Sequence, residues 1–434
     1  MADSTFLQLE EASDFSFQNL PFGVFSTANK PIPRIGIAIG NWIMDLSELD
    51  CFSGPEMAKQ SNVFREGELN AFMGLGRNAW HETRQTVQRV LSSAEGYLRD
   101  NGHLQKRTLI NQDDAIMHVP ARIGDFTDFS ASKRHAENDR IMFTDKSQRI
   151  LPNWDYMPVA YHSRASSVVV SGTDIRRPNG QYANEDGNVD SGPVFGPTKK
   201  LDFEMEIGAL IGTKNALSQP ISVDSADNHV FGFVLLNDWS ARDLQSWEWN
   251  PLGPFLSKSF ATTISPWVVT AAALEPFLCD PICLQDPQPL PYLRSKSIKT
   301  YDINLTTSLQ TEGQTEMHYS SSVICQSNYK VMYWTLAQQI AHHTSNGCNL
   351  LPGDLIGSGT VSGPTYYSSG SLSELSERGT KPITLVDGQR RAFLHDGDEV
   401  IIRGWCEDKS VRIGFGECRG RVLHHRQHSP PPFP

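Results

Sequence analysis

The chain has 434 residues, 39% of them hydrophobic and 20% charged, the balance of a soluble globular protein with room for two domains. Its formal net charge of -11 disfavours nucleic acid and anionic membrane surfaces as partners. No apolar run reaches membrane-span length, residues 1–6 lack the basic and apolar stretches of a secretion signal, and seven scattered cysteines read as reduced thiols in a cytoplasmic protein.

Residues 1–20 mix acids and aromatics and read as an arm. Ile35, Ile37 and Ile39 alternate with small residues, Gly40-Asn41 turns the chain, and Trp42-Ile-Met-Asp-Leu46 follows, which is a hairpin signal. From residue 63 to about 98 the apolar spacing becomes helical. Leu69, Phe72 and Met73 mark a short helix; Trp80, Val87, Val90 and Leu91 mark a longer one, with Gly74 and Gly76 between them. Asn101-Gly102 is expected to end it. Residues 1–118 therefore read as a small β-rich domain with helices attached and no site constellation.

From Val119-Pro120 to about Val422 the chain is rich in short strands, glycines and prolines. Residues 167–171 form a strand, and residues 179–197, with many Gly, Asn and Asp, read as a long loop. In residues 201–208, strand alternation puts Glu204 and Glu206 on one face and Phe203, Met205 and Ile207 on the other. Two neighbouring carboxylates repel, and a hard divalent cation compensates them, although a bare Glu-x-Glu is most often a strand's wet face. Residues 230–236 form a buried strand that delivers Asn237-Asp238-Trp239. Met332, Leu336 and Ile340 repeat on a helix running to about His343, with Gly347 as its stop signal. Residues 399–403 and 411–415 are further strands. The His- and Pro-rich tail, 424–434, reads as disordered. No repeat, Walker loop or dinucleotide fingerprint is present.

Four segments carry chemistry together. Residues 124–144 include Gly-Asp-Phe-Thr-Asp-Phe-Ser-Ala-Ser-Lys-Arg-His; residues 151–167 begin Leu-Pro-Asn-Trp-Asp-Tyr-Met-Pro; residues 237–267 contain Asn-Asp-Trp-Ser-Ala-Arg-Asp-Leu-Gln and Leu-Ser-Lys-Ser-Phe; residues 357–364 read Gly-Ser-Gly-Thr-Val-Ser-Gly-Pro. In this order they resemble the fumarylacetoacetase family over nearly the whole chain. The resemblance implies a mainly β fold with α-helices: an N-terminal SH3-like β-barrel domain over 1–118 and a C-terminal mixed β-roll domain over 119–423, paired as a homodimer. It implies Ca²⁺ or Mg²⁺ on Asp128, Glu204, Glu206 and Asp238, with Lys258 and Thr262 at a second-ion or supporting position. Oxygen donors from separate segments suit such an ion.

The implied reaction hydrolyses a carbon–carbon bond in a small 1,3-diketo substrate, as in tyrosine and phenylalanine catabolism. The resemblance makes His135, seven residues after Asp128, the base, and Glu374, fourteen after Thr360, its partner. Arg242, Gln245 and Lys258 are implied oxyanion stabilisers, with Asp243 or Glu248 as possible ion-pair partners for Arg242. Tyr161, Thr360 and Gln245 fall on substrate-contacting positions. Three such positions depart from the family, which has tyrosine at Ser130, arginine at Thr144 and tyrosine at Trp249. Threonine cannot fork onto a carboxylate as arginine does, so an altered substrate pocket is expected unless Arg140 or Lys146 compensates. The alternatives are authentic fumarylacetoacetase, a non-hydrolytic metal–enolate decarboxylase, isomerase or cyclase, and a catalytically dead binding protein. Intact His135, Glu374, Lys258 and Gln245 argue against the last.

Overall fold

The expected hairpin forms, with Lys30–Ile39 antiparallel to Trp42–Asp45 and Ile39 opposite Trp42. Gly40 turns the chain at φ +53°, where a side chain is disfavoured. In this computed structural model, residues 4–143, 150–184, 192–408 and 411–426 are described, those at 61 and 139–143 without their side chains. The hairpin belongs to a five-stranded antiparallel sheet in the order Leu109–Asn111, Trp42–Asp45, Lys30–Ile39, Phe22–Thr27, Ala115–His118. Inside it, Arg34 donates to Asp45 over 2.6 Å in a buried ion pair.

The two helices expected on either side of Gly74 and Gly76 are Asn70–Met73 and Arg77–Leu91. Asn101-Gly102 does not end the second. The Asn101 side chain accepts the Leu104 amide and opens a further helix, Gly102–Thr108. The reason is chemical: asparagine stops one helix and caps the next with equal ease.

The remaining chain builds two large sheets beside several two-stranded ones. The larger runs Ala160–Ser163, Phe126–Phe129, Leu355–Gly357, Met205–Ile211, Val230–Asp238, Thr262–Ile264, Val168–Val170. The second runs Ser322–Asn328, Asn304–Gln310, Glu399–Glu407, Arg412–Leu423, Ile175–Arg176. The second sheet lies close on the strand Val230–Asp238: a Cβ at Gly420 would stand 2.8 Å from the Trp239 ring. The fold is thus mainly β with helices, an N-terminal sheet domain followed by a larger two-sheet domain. No helix among the described residues is long and apolar enough to cross a membrane.

Three further expectations are corrected. Residues 179–197 are not wholly loop: Asn179–Ala183 pairs with Pro193–Pro197, because alternation buries Tyr182 against Leu244 while Gln181 and Phe195 face outward. Met332 precedes its helix, which starts at Leu336 where Thr335 and Gln338 form a capping box. Residues 201–208 are two strands, Leu201–Asp202 and Met205–Ile211, and Glu204 between them bridges Ser371 instead. The tail residues 427–434 lie outside the described residues.

The strand Val230–Asp238 is buried along its whole length. From Phe233 its side chains alternate, with Phe233 and Leu235 in the core shared with the second sheet. Val234 and Leu236 enter the core shared with the N-terminal domain. A register shift near Ile211 turns Phe231 to that side too, where its ring meets Phe22, Phe72 and Trp80 at 5.7, 5.8 and 5.2 Å. Phe231→Ala is expected to cost about 3–5 kcal/mol and to lower the midpoint of one common thermal transition. Separate transitions for the two domains, with little shift, would show that this core does not join them.

Candidate active site

Glycines open the space for the site. Asp128, near the end of Phe126–Phe129, lies level with Gly357 on the next strand. A Cβ at Gly357 would stand 2.5 Å from Asp128 Oδ1, so only glycine lets this carboxylate lean across its neighbour. Beyond it, Gly359 sits at φ +74° with its Cα so close to Phe129 that a Cβ would meet the carbonyl oxygen at 1.9 Å. Its amide donates to Asp128 Oδ1 and Glu206 Oε2, both at 3.1 Å. On the following strands stand Glu206 and, just before Met205–Ile211, Glu204; Asp238 ends Val230–Asp238, its amide donating to the Glu204 carbonyl over 3.2 Å.

Asp128, Glu204, Glu206 and Asp238 are all buried, and each offers an oxygen within 4.8 Å of the others. Two cations pair with members of the group. Lys258 Nζ contacts Glu204 Oε2 and, at 2.9 Å, Asp238 Oδ2. Arg242 lies 2.9 Å from Asp202 and 2.8 Å from Glu204. Burial pushes the Glu204 carboxyl up, but Lys258, Arg242 and His135 outweigh it and hold it at about 2. They do not offset the whole group. Burial, with Asp238 and Glu204 adding to it, drives Asp128 up to about 7 against Lys258; burial and the other three carboxylates drive Glu206 well above the usual range. Glu206 Oε1 is buried without a hydrogen-bond partner among the described residues. An all-oxygen set, too negative for its own cations and with an orphaned carboxylate oxygen, fits a hard divalent cation.

Thr262 donates to Asp238 Oδ1 over 2.9 Å, and Tyr161 to Asp238 Oδ2 over 2.7 Å. Lys258 and Thr262 therefore hold the carboxylates by direct contact. Arg242 pairs with Asp202 and Glu204 rather than with Asp243 or Glu248, and also donates to Gln245 Oε1 at 3.0 Å.

His135 comes from the helix Lys133–Phe143. Its Nδ1 lies 2.9 Å from Glu374 Oε2, and its Nε2 3.9 Å from Glu204 Oε1. Glu374 also accepts from Asn138 at 2.8 Å and from the hydroxyls of Ser362 and Ser371, each at 2.9 Å. Burial alone would raise its carboxyl, but the imidazole and these donors hold it at about 2. An ionised carboxylate only accepts, so Nδ1 carries the proton toward Glu374 and a neutral ring keeps its lone pair at Nε2.

A cavity of about 270 Å³ collects these groups. Asp128, Glu204, Glu206, Lys258 and His135 line it, together with Ser130, Tyr161, Gln245, Trp249, Thr360 and several apolar residues. Thr360 Oγ1 is buried and has no hydrogen-bond partner among the described residues, so a bound molecule can satisfy it. Thr144 and Lys146 lie outside the described residues, as does the side chain of Arg140. A larger groove on the N-terminal domain is lined by Lys30, Arg34, Glu48 and Arg107, whose charges already pair with one another or with Asp45.

Residues 18–120 match the family described as "Fumarylacetoacetase N-terminal", and residues 126–423 the one described as "Fumarylacetoacetate (FAA) hydrolase C-terminal". The chain belongs to the fumarylacetoacetate hydrolase family. Among its relatives, fumarylacetoacetase of Homo sapiens is 53% identical over 96% of this chain and 98% of its own length. Those of Caenorhabditis elegans and Arabidopsis thaliana are 51% and 49% identical, again over 96% of this chain and 99% and 98% of theirs. A fumarylacetoacetate hydrolase structure from Exiguobacterium antarcticum shares the fold, at a TM-score of 0.51 and 16% identity, over 94% of this chain and all of that one. Sequence reasoning did not single out Asn138, Ser362 or Ser371 around Glu374, nor Asp202 behind Arg242. Two signals were available: Asn138 lies one helical turn after His135, and Asp202 extends the alternation of Glu204 and Glu206.

Stripping divalent ions with a chelator is expected to lower the melting temperature, because an ion binds the folded site and not the open chain. The shift should depend on pH. Asp128 holds its proton more tightly folded, with a pKa of about 7, than at its ordinary 3.8. That contribution stabilises the metal-free fold at low pH and is lost as pH rises through about 7. An ion must displace this proton, so the metal-dependent shift should be small near pH 5.5 and large near pH 8, roughly bracketing that titration. Scanning calorimetry with and without chelator checks both; a melting temperature indifferent to the ion even near pH 8 would refute the metal centre.

Proposed function

We propose that this chain is a metal-dependent hydrolase that cleaves a carbon–carbon bond in a small 1,3-diketo acid, with fumarylacetoacetate as the reference substrate. The observation that carries the reading is the opening of Asp128, Glu204 and Glu206, from the four-carboxylate group, and of His135, backed by Glu374, into one cavity. The near-full-length similarity to fumarylacetoacetases supports the same reaction.

Asp128, Glu204, Glu206 and Asp238 would hold a divalent ion, Ca²⁺ or Mg²⁺, which would supply Lewis acidity toward a 1,3-dicarbonyl. The chain does the rest. His135 takes a proton from water at Nε2, and Glu374 fixes the ring's tautomer and steadies the imidazolium. Asn138, Ser362 and Ser371 keep Glu374 ionised and oriented. Lys258 and Gln245, both lining the cavity, stabilise negative charge developing on the attacked carbonyl oxygen in this reading. Arg242 sits behind Glu204 and acts through it and through Gln245. Tyr161 and Thr360 offer hydroxyls to the substrate.

A second reading keeps this chemistry and changes the substrate. Ser130 and Trp249 both line the cavity: a serine leaves space, and an indole offers apolar surface and a donor only. We further infer an SH3-like barrel from the five-stranded N-terminal sheet, a division near residue 118, a homodimer by family resemblance, and a cytoplasmic site from seven free cysteines.

Side-by-side kinetics with Homo sapiens fumarylacetoacetase separate the readings. Comparable kcat/KM for fumarylacetoacetate assigns the reference reaction; a much lower value, with faster cleavage of a diketo acid bearing a bulkier apolar group, assigns the altered pocket. Hydrolysis of neither would refute the proposal. His135→Ala is expected to lose about 10²–10⁴ in kcat with metal content unchanged, and Glu374→Gln to lose turnover because its amide can present a donor to Nδ1. Metal analysis of the purified variants checks the role: a His135→Ala protein without its ion would make His135 a structural support.

A further inference from the structure

The helix Arg242–Glu248 carries Arg242 and Gln245 toward the site and ends on a carboxylate that the chemistry above does not use. Glu248 turns back onto the segment that follows. Its Oε1 accepts from the amides of Phe255 at 2.6 Å and Ser257 at 2.9 Å and from the Ser257 hydroxyl at 2.6 Å. Its Oε2 accepts from the Leu256 amide at 3.0 Å. Three successive amides gathered on one anion form the concavity with which a loop ordinarily binds a ligand; here the chain supplies the anion itself.

Residues 249–256 are thereby drawn into an arch. Proline at 251 and 254 removes two amides, and Gly253 bonds back to the Trp249 carbonyl at 2.7 Å. Trp249, Leu252, Gly253 and Pro254 of this arch form one wall of the cavity. Leu252, which lines the cavity, is 94% exposed, so the cavity mouth presents apolar surface to an incoming molecule. The arch then enters the core at Ser257 and Lys258. Lys258 keeps anchors of its own on Glu204 and Asp238, independent of Glu248.

We propose that Glu248 is a positioning residue for the substrate: it holds the arch as an apolar wall that receives a nonpolar part of the diketo acid. This rests on the reading of the cavity as the active site. Because the wall contacts substrate and transition state alike, and Lys258 is held separately, loss of the clamp acts on KM more than on kcat.

The test is Glu248→Gln, which keeps the side chain's size but places an NH2 group against donors. In the full-length metal-loaded protein we expect KM for the cleaved diketo acid to rise about tenfold or more, with kcat changing by less than about threefold. Amide hydrogen exchange over 249–257, followed by mass spectrometry without substrate, should accelerate, and metal content should stay the same. Leu252→Ser alters only an exposed side chain; it should raise KM, leave exchange unchanged, and decide the wall's role if Glu248→Gln does not fold. Faster exchange with unchanged KM in Glu248→Gln, unchanged exchange, or no KM effect in Leu252→Ser would overturn the proposal. Failure of the unsubstituted protein to turn over any diketo acid would instead strike the reading of the site, while the exchange result would still decide the clamp.

Discussion

Like charge confined in a small buried volume is the constraint from which the rest of this architecture follows. Four carboxylates within 4.8 Å of one another repel strongly where water is scarce, and two neighbouring cations leave the group negative. Such an arrangement lasts only on a support that cannot relax. The support is a set of neighbouring strands, one of them buried on both faces, and a pair of glycines whose missing side chains leave room for Asp128.

Glu374, which partners His135, lies far along the chain from the carboxylate group, yet the two are not independent. Ser371 joins them. Its backbone bridges Glu204 and its hydroxyl donates to Glu374. A displacement of the turn that carries Leu372–Leu375 would therefore reach one of the clustered carboxylates and the histidine's partner together. The opposite fates of neighbouring acids follow from the same layout. Glu204, facing Lys258 and Arg242, is held ionised, whereas Glu206, facing mainly other carboxylates, is pushed to retain its proton.

Much of this was legible in the sequence, unevenly. The hairpin at Gly40-Asn41, the buried strand ending in Asp238 and the split face of Phe203, Glu204, Met205 and Glu206 follow from two-residue periodicity, which is local. The meeting of Asp128 with Glu204, Glu206 and Asp238 is long-range, and only the ordered resemblance of several segments indicated it. Asn101 and residues 179–197 misled for one reason: turn-forming residues also cap helices and edge hairpins, and a linear reading cannot choose between those uses. The Met332 misreading was a matter of phase, since an apolar repeat does not reveal that Thr335 caps the helix. The clamp of Glu248 on residues 255–257 left no sequence signal, because a carboxylate seven to nine residues from three amides becomes a contact only once the intervening arch has formed.

The placement of Phe231 bears on inheritance of damage. Asp238 stands on the strand whose side chains also knit the N-terminal domain to the rest. A substitution among Phe22, Phe72 or Trp80, far along the chain from any reacting group, would thus lower the fraction of molecules that hold the carboxylates in register, while each surviving molecule reacted normally. Such alleles would look like weak enzymes in a cell extract and like sound ones per folded molecule. Divalent ion, by favouring the intact state through mass action, would restore part of their yield, which a lesion at His135 would never permit.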